Sequence, residues 1–175
     1  MLSLPSELAI SSIAPQKDLG SEIVKNAGKA VYCSNLVIGK TPVCLRLKGF
    51  LTTNGVTVSD YGQHSIGFHF AEESEMDAFA KLMEVFDNDG FKVIDSEWSI
   101  KDIIKNDRIY LKLKTKNDKY TTRSNIKLDP KKAADAPLFR NQNVEVHLEL
   151  NAYFGLEDKS CGLYCTVFNL IFEKA

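Results

Sequence analysis

Apolar and polar side chains alternate with period two along most of this chain, and recur with helical spacing in one clear place. Val144, Val146, Leu148 and Leu150 share one parity and Glu145, His147 and Glu149 the other, as in a strand with one face buried. Residues 43–51 repeat the pattern, with Val43, Leu45, Leu47 and Leu51 opposed to Cys44, Arg46, Lys48 and Phe50. So do residues 108–115, where Ile109, Leu111 and Leu113 lie opposite Arg108, Tyr110, Lys112 and Lys114. Residues 30–38, 56–58, 65–70, 91–98 and 119–123 are further strand candidates. Residues 164–172 are apolar on both parities, which predicts a central strand. Turn residues fall between these runs: Gly39-Lys40-Thr41-Pro42, Asn54-Gly55 as a hairpin signal, Lys116-Asn117-Asp118, and a turn between Gly155 and Gly162.

Met76, Phe79, Ala80, Met83 and Phe86 recur at three and four residues and predict one amphipathic helix over 74–88. Ser74 is its expected N-cap with Asp77 as capping-box partner, and Asp87-Asn88-Asp89-Gly90 stops it. Glu72, Glu73, Glu75, Asp77 and Glu84 make its outer face acidic, so the helix should lie away from any polyanion. Asp129-Pro130 reads as the start of a short helical turn ahead of Ala136-Pro137. Residues 1–29 are weakly periodic and read as an arm with a short helix at 21–25, leaving 30–175 as a single β-rich domain. The expected fold is mostly β: an OB-like five-stranded barrel or an open antiparallel sheet, with one mid-chain helix. In the OB arrangement that helix joins the third and fourth strands.

A chain of 175 residues can bury one adequate core. No apolar run approaches the about 20 residues that span a bilayer, and the start lacks the basic and apolar regions of a secretory signal. The expectation is an intracellular protein of cytoplasm, nucleus or a viral replication compartment, not secreted and without membrane contact. Cys33, Cys44, Cys161 and Cys165 sit in apolar strand-like runs and are expected as buried free thiols. They and the three histidines have no zinc-site spacing, so neither metal nor other cofactor is expected. His64 and His69 have opposite parity and should face opposite sides of a strand. Nucleophile-elbow, phosphate-loop and zinc-protease motifs are all missing from the sequence, so an enzyme with a small-molecule substrate is not expected.

Charge changes the picture through its distribution. Residues 1–100 carry 8 basic and 13 acidic side chains, whereas residues 101–132 carry 11 and 4, a local balance of +7 in a chain of net −1. A local field of this sign is what phosphate binding requires. Within it, Arg108, Tyr110, Lys112, Lys114 and Lys116 share the face opposite the core: one ring among four cations at strand spacing. A single nucleic-acid strand is held by that combination, with rings stacking on bases and cations tracking phosphates. An ordinary solvated edge kept soluble by lysines is the competing reading. Arg46 and Lys48 repeat the pattern on a second strand. Tyr120, Arg123, Lys127, Lys131 and Lys132 extend the charge into the following loop, and Tyr153 and Phe154 offer either further stacking or core packing.

The run Arg108-Ile-Tyr-Leu-Lys-Leu-Lys, then Leu128-Asp-Pro-Lys-Lys132, Val144 through Tyr153 and Gly162 through Phe172 resembles the OB-fold single-stranded DNA-binding proteins of phages and large DNA viruses. The resemblance implies a non-enzymatic protein that coats exposed single strands in replication or recombination. Its partner would be single-stranded DNA, with RNA and self-association left open. Phage examples often end in an acidic tail that recruits other enzymes, whereas this sequence ends Phe172-Glu-Lys-Ala175. The alternative from another class is a virion or assembly protein built as a self-associating β-sandwich. A third is an enzyme whose acids come from distant strands.

Overall fold

Alternating burial carries through to the folded chain, a computed structural model that describes residues 2–9, 12–16, 30–53, 55–84, 98–128 and 140–173. Five strands build the body: β4 (Cys44–Leu51), β6 (His64–Phe70), β8 (Arg108–Leu113), β12 (Asn143–Gly155) and β13 (Ser160–Phe172). Around them lie β1 (Ile13–Pro15), β2 (Val31–Ile38), β3 (Thr41–Pro42), β5 (Thr57–Val58), β7 (Ser99–Ile100), β9 (Thr115–Lys116), β10 (Lys119–Tyr120) and β11 (Arg123–Ser124).

The five strands close on themselves. β4 pairs with β6, β6 with β8, β8 with β13, β13 with β12, and β12 returns to β4. Only β8–β13 is parallel in this ring. In chain order the ring reads first, second, third, fifth, fourth, first, which is the strand order of an OB barrel. The fold is therefore mostly β, and the sheet is closed and mixed rather than open and antiparallel. Its first strand is split. β2 and β4 follow one another along the same edge of β12, with Asn35 opposite Asn151 and Cys44 opposite Glu149.

Inside the ring, Leu45, Leu47, Ile66, Phe68, Ile109, Leu111, Val146, Leu148, Cys165 and Val167 are all at most 2% exposed. The outward parity keeps polar atoms in water, so both requirements of a two-sided strand are met. β13 accommodates its mixed pattern through a β-bulge. His147 faces Asn169 but Leu148 faces Val167, so Phe168 is left without a counterpart on β12. Beyond the bulge the parity switches, which returns Leu170 and Phe172 to the core.

Helix α1 (Glu73–Lys81) departs from expectation at its start and in its place along the chain. Glu72, not Ser74, is its N-cap, no side chain caps it, and Ser74 lies within the first turn. Acidic Glu73 and Glu75 instead complement the helix dipole. α1 connects the second and third ring strands rather than the third and fourth. Phe79 is fully buried with its ring 5.5 Å from that of Phe70, so the helix covers the barrel end where β6 finishes. The predicted continuation through Phe86, the strand candidate at 91–98 except for Trp98, which is not in a strand, and the turn from Asp129 lie outside the described residues.

One local expectation needs correction. Gly55 has φ +80, but Asn54 lies outside the described residues and β5 pairs with β6, not with β4. The chain reverses instead between Ser59 and Gln63, where Gly62 takes φ +76. Described parts of the predicted arm lie on the barrel: β1 pairs with β2, and Ser3 bridges to Leu45. The helix expected at 21–25 lies outside the described residues.

The four cysteines are free, but only Cys161 and Cys165 are buried; Cys33 is exposed and Cys44 half-buried. Burial pushes the Cys165 thiol far up, and burial together with Glu149 raises that of Cys44. Reaction requires a thiolate and access. Titration of the native protein with a chromogenic disulfide should thus show Cys33 reacting fast, Cys44 slowly, and Cys161 and Cys165 only after denaturant is added. Fast release of four equivalents would contradict this packing.

Candidate nucleic-acid interface

β8 presents the predicted two faces. Ile109, Leu111 and Leu113 are buried, Arg108 and Lys112 are half-buried, and Tyr110 is 49% exposed. Its continuation folds into the β9–β10 hairpin, where Asn117 and Asp118 adopt φ 53 and 60. Both residue types tolerate that left-handed conformation, which a two-residue hairpin turn demands. Lys114 and Lys116 are exposed along this hairpin.

Opposite them, the loop between β5 and β6 projects Tyr61, which is 99% exposed. Ser59 Oγ accepts the Gln63 N–H at 3.0 Å and holds the base of that loop. Between loop and hairpin opens a cleft of ≈ 540 Å³, lined by Tyr61, His64, Lys112, Lys114, Lys116 and Thr121 among others. His64 Nδ1 and the Tyr120 hydroxyl are 2.9 Å apart, which ties the hairpin to the start of β6. His69, of opposite parity, stacks on Phe50 at 4.8 Å, as expected for the outer side. Lys112 Nζ stands 5.4 Å over the Tyr164 ring. Burial, with Cys33 as electrostatic neighbour and hydrogen-bond partner, raises the Tyr164 phenol. Among the described residues no ion pair neutralises Lys112, Lys114 or Lys116.

The other predicted residues divide. Arg123 and Lys127 are exposed, Arg123 on β11 beside β13. Lys131 and Lys132 lie outside the described residues. Tyr120 is half-buried against His64 and so positions the hairpin. Arg46 and Lys48 do face outward, but they join the β12 side of the barrel. Lys48 Nζ is 3.9 Å from Glu145, Arg46 lies opposite His147, and β6 separates both from β8. The structure thus does not bring the second basic strand alongside the first. Tyr153 is half-buried, near Tyr164 and packed over Gly162. Phe154 is a correction: it is fully buried between Tyr32 at 5.9 Å and Trp98 at 6.1 Å, where no base can reach it.

Sequence reasoning missed Tyr61, Tyr164 and Phe168. Tyr61 sits in Asp60-Tyr61-Gly62, a turn with no periodicity to read, and an aromatic between turn residues was the available signal. The acidic helix joins the far end of β6, so the seven residues of that strand, about 20 Å, separate it from the cleft at His64. Among the described residues no group of three His, Cys, Asp or Glu is placed to hold a metal ion, and no helix is long and apolar enough to cross a membrane.

Comparison of the chain with protein-family models and with curated proteins gives no match. Fold and surface together define a class: a closed five-stranded barrel of OB order, with an open cationic cleft and exposed rings at one end.

Proposed function

We propose that this chain is a non-enzymatic single-stranded DNA-binding protein that coats exposed strands in replication or recombination. The observation that carries the reading is the cleft, where three lysines with no ion-pair partner among the described residues face a nearly fully exposed tyrosine and continue onto Tyr110. OB barrels bind oligonucleotides on the face of their second and third strands and in the loop joining the first two. Here those elements are β6, β8 and the loop bearing Tyr61. Lysines track the phosphates while rings stack on unpaired bases, so binding is weakly sequence-specific and favours single strands over duplex.

Titration of a fluorescent oligonucleotide at two salt concentrations tests the reading. Binding that weakens with salt, and is stronger for a single strand than for its duplex, supports it; no binding at low salt overturns it. A matched RNA strand reports any preference between the two nucleic acids. Tyr110 is the residue-level check. Its exposed ring has little folding role, so Tyr110→Ala should weaken binding by about 1–3 kcal/mol while barely moving the melting temperature. Tyr110→Phe should bind like wild type, because stacking uses the ring. A large loss of stability in Tyr110→Ala would overturn the face assignment.

A further inference from the structure

We infer that Phe168 is a separate base-stacking platform, and that the bound strand leaves the cleft across β13. This rests on the reading above and extends it to a residue outside the face of β6 and β8. Three aromatic side chains stand out as exposed among the described residues: Tyr61, Tyr110 and Phe168, the last at 37%. Phe168 occupies the β13 bulge, the extra residue with no counterpart on β12. Bulges re-aim side chains and concentrate near functional sites.

Its surroundings suit a polyanion. Val167 lies beside Leu113, the last residue of β8, across the parallel β8–β13 pair, and Lys114 follows where the chain leaves β13 for the β9–β10 hairpin. β11 takes up the same edge of β13 beyond β8, with Arg123 beside Asn169. Among the described residues no ion pair neutralises Lys114 or Arg123. His147 packs its ring 6.1 Å from Phe168 and is itself held by Glu145 at 2.8 Å and Asn169 at 3.2 Å, which supports the phenyl ring from behind. Glu145 on this side is engaged, contacting both His147 and Lys48. An exposed ring beside the edge that carries Arg123, with Lys114 just past the end of β8, offers a base its π-face and nearby phosphates their counter-charge.

Oligonucleotide length tests the path. An oligomer of about four nucleotides fills the cleft alone, and one of about twelve reaches β13, both within the site sizes of OB folds. Phe168→Ala and Phe168→Leu should each weaken the longer oligomer by about 5- to 150-fold and leave the shorter unchanged. Phe168→Tyr should bind both like wild type. Leucine retains apolar packing, so its loss reads the ring rather than the fold, and melting temperatures confirm that each variant is folded. Equal affinity of Phe168→Leu and wild type for the longer oligomer overturns the inference, as does equal loss at both lengths. A wild-type dimer in sedimentation that Phe168→Leu abolishes also overturns it, because the ring would then serve a contact between copies. If wild type binds neither oligomer, the proposed function itself fails; if it binds both and only Phe168 is silent, that reading stands without this platform.

Discussion

Gly49→Ala is expected to lower stability by about 3 kcal/mol, the upper end of the cost of overpacking, read as a lower denaturant midpoint with unchanged slope. A Cβ at this position would lie 1.9 Å from the carbonyl oxygen of His69 and 2.7 Å from Phe68 Cζ. The carbonyl belongs to the backbone of β6, which faces β4 here through the pairs Gly49–Phe70 and Phe50–His69. It has no rotamer to escape into. Relief requires β4 and β6 to separate where the ring is closed, under the end covered by Phe70 and Phe79. Gly67 provides the contrast. A Cβ there meets Thr52 Oγ1 and Thr53 Cγ2, side-chain rather than backbone atoms, which can shift at the expense of the Thr53 Oγ1 hydrogen bonds with Gly67 N–H and Gly55 O. Gly67→Ala should therefore cost less than Gly49→Ala. Equal midpoints for Gly49→Ala and wild type would show that the two strands do not approach this closely.

Replacing Lys112, Lys114 and Lys116 together with alanine is expected to have the largest effect on binding. Each phosphate contact on a single strand contributes about 0.7 to the slope of log affinity against log salt, so three should flatten it by about 2. If such contacts contribute nothing at 1 M salt, the triple variant binds about 500-fold more weakly at 50 mM and about 30-fold more weakly at 200 mM. The effect should be alike for every base sequence, since phosphates carry none. Half-buried Lys112 also contacts the Tyr164 ring, so its single replacement should move the melting temperature more than those of Lys114 or Lys116. A triple variant with wild-type slope and affinity would make these lysines a solvated edge and nothing more.

Strand faces were legible because each is written in neighbouring residues. The parity of β4, β8 and β12 follows from alternation alone, and the β9–β10 turn from Asn117 and Asp118. The inward place of Phe154 was legible too: it shares the parity of Leu148 and Leu150, and its candidacy as a stacking ring set that pattern aside. Barrel closure was not written locally. It depends on β4 meeting β12 and on β8 meeting β13 in parallel, pairings between segments far apart in the chain. That distance also hid why Arg46 and Lys48 do not join the cationic cleft. Ser74 misled because a serine cap, though strongly preferred, is worth only about 1 kcal/mol, whereas the position of Phe79 beneath Phe70 fixes where α1 can sit. The candidate site was half visible. Its cations lie on a periodic strand, but Tyr61 is carried by a turn, and the mixed parity of β13 concealed the bulge that exposes Phe168.

Barrel closure also sets the order in which the chain can fold. β12 and β13 are 13 residues each and are joined directly by the four residues 156–159, so their ladder forms at small cost in loop entropy. Neither long ring partner of this hairpin is near in sequence: β4 begins about a hundred residues earlier, and β8 ends some forty-five residues before β13. Until β4 and β8 arrive, the hairpin shows water the apolar row from Val144 to Phe154 and two unpaired outer edges. Such edges invite strands from other chains. This C-terminal hairpin is thus both the natural nucleus of the fold and the segment with most to lose if the earlier strands dock late, a tension inherent in a ring whose last two strands must capture the first.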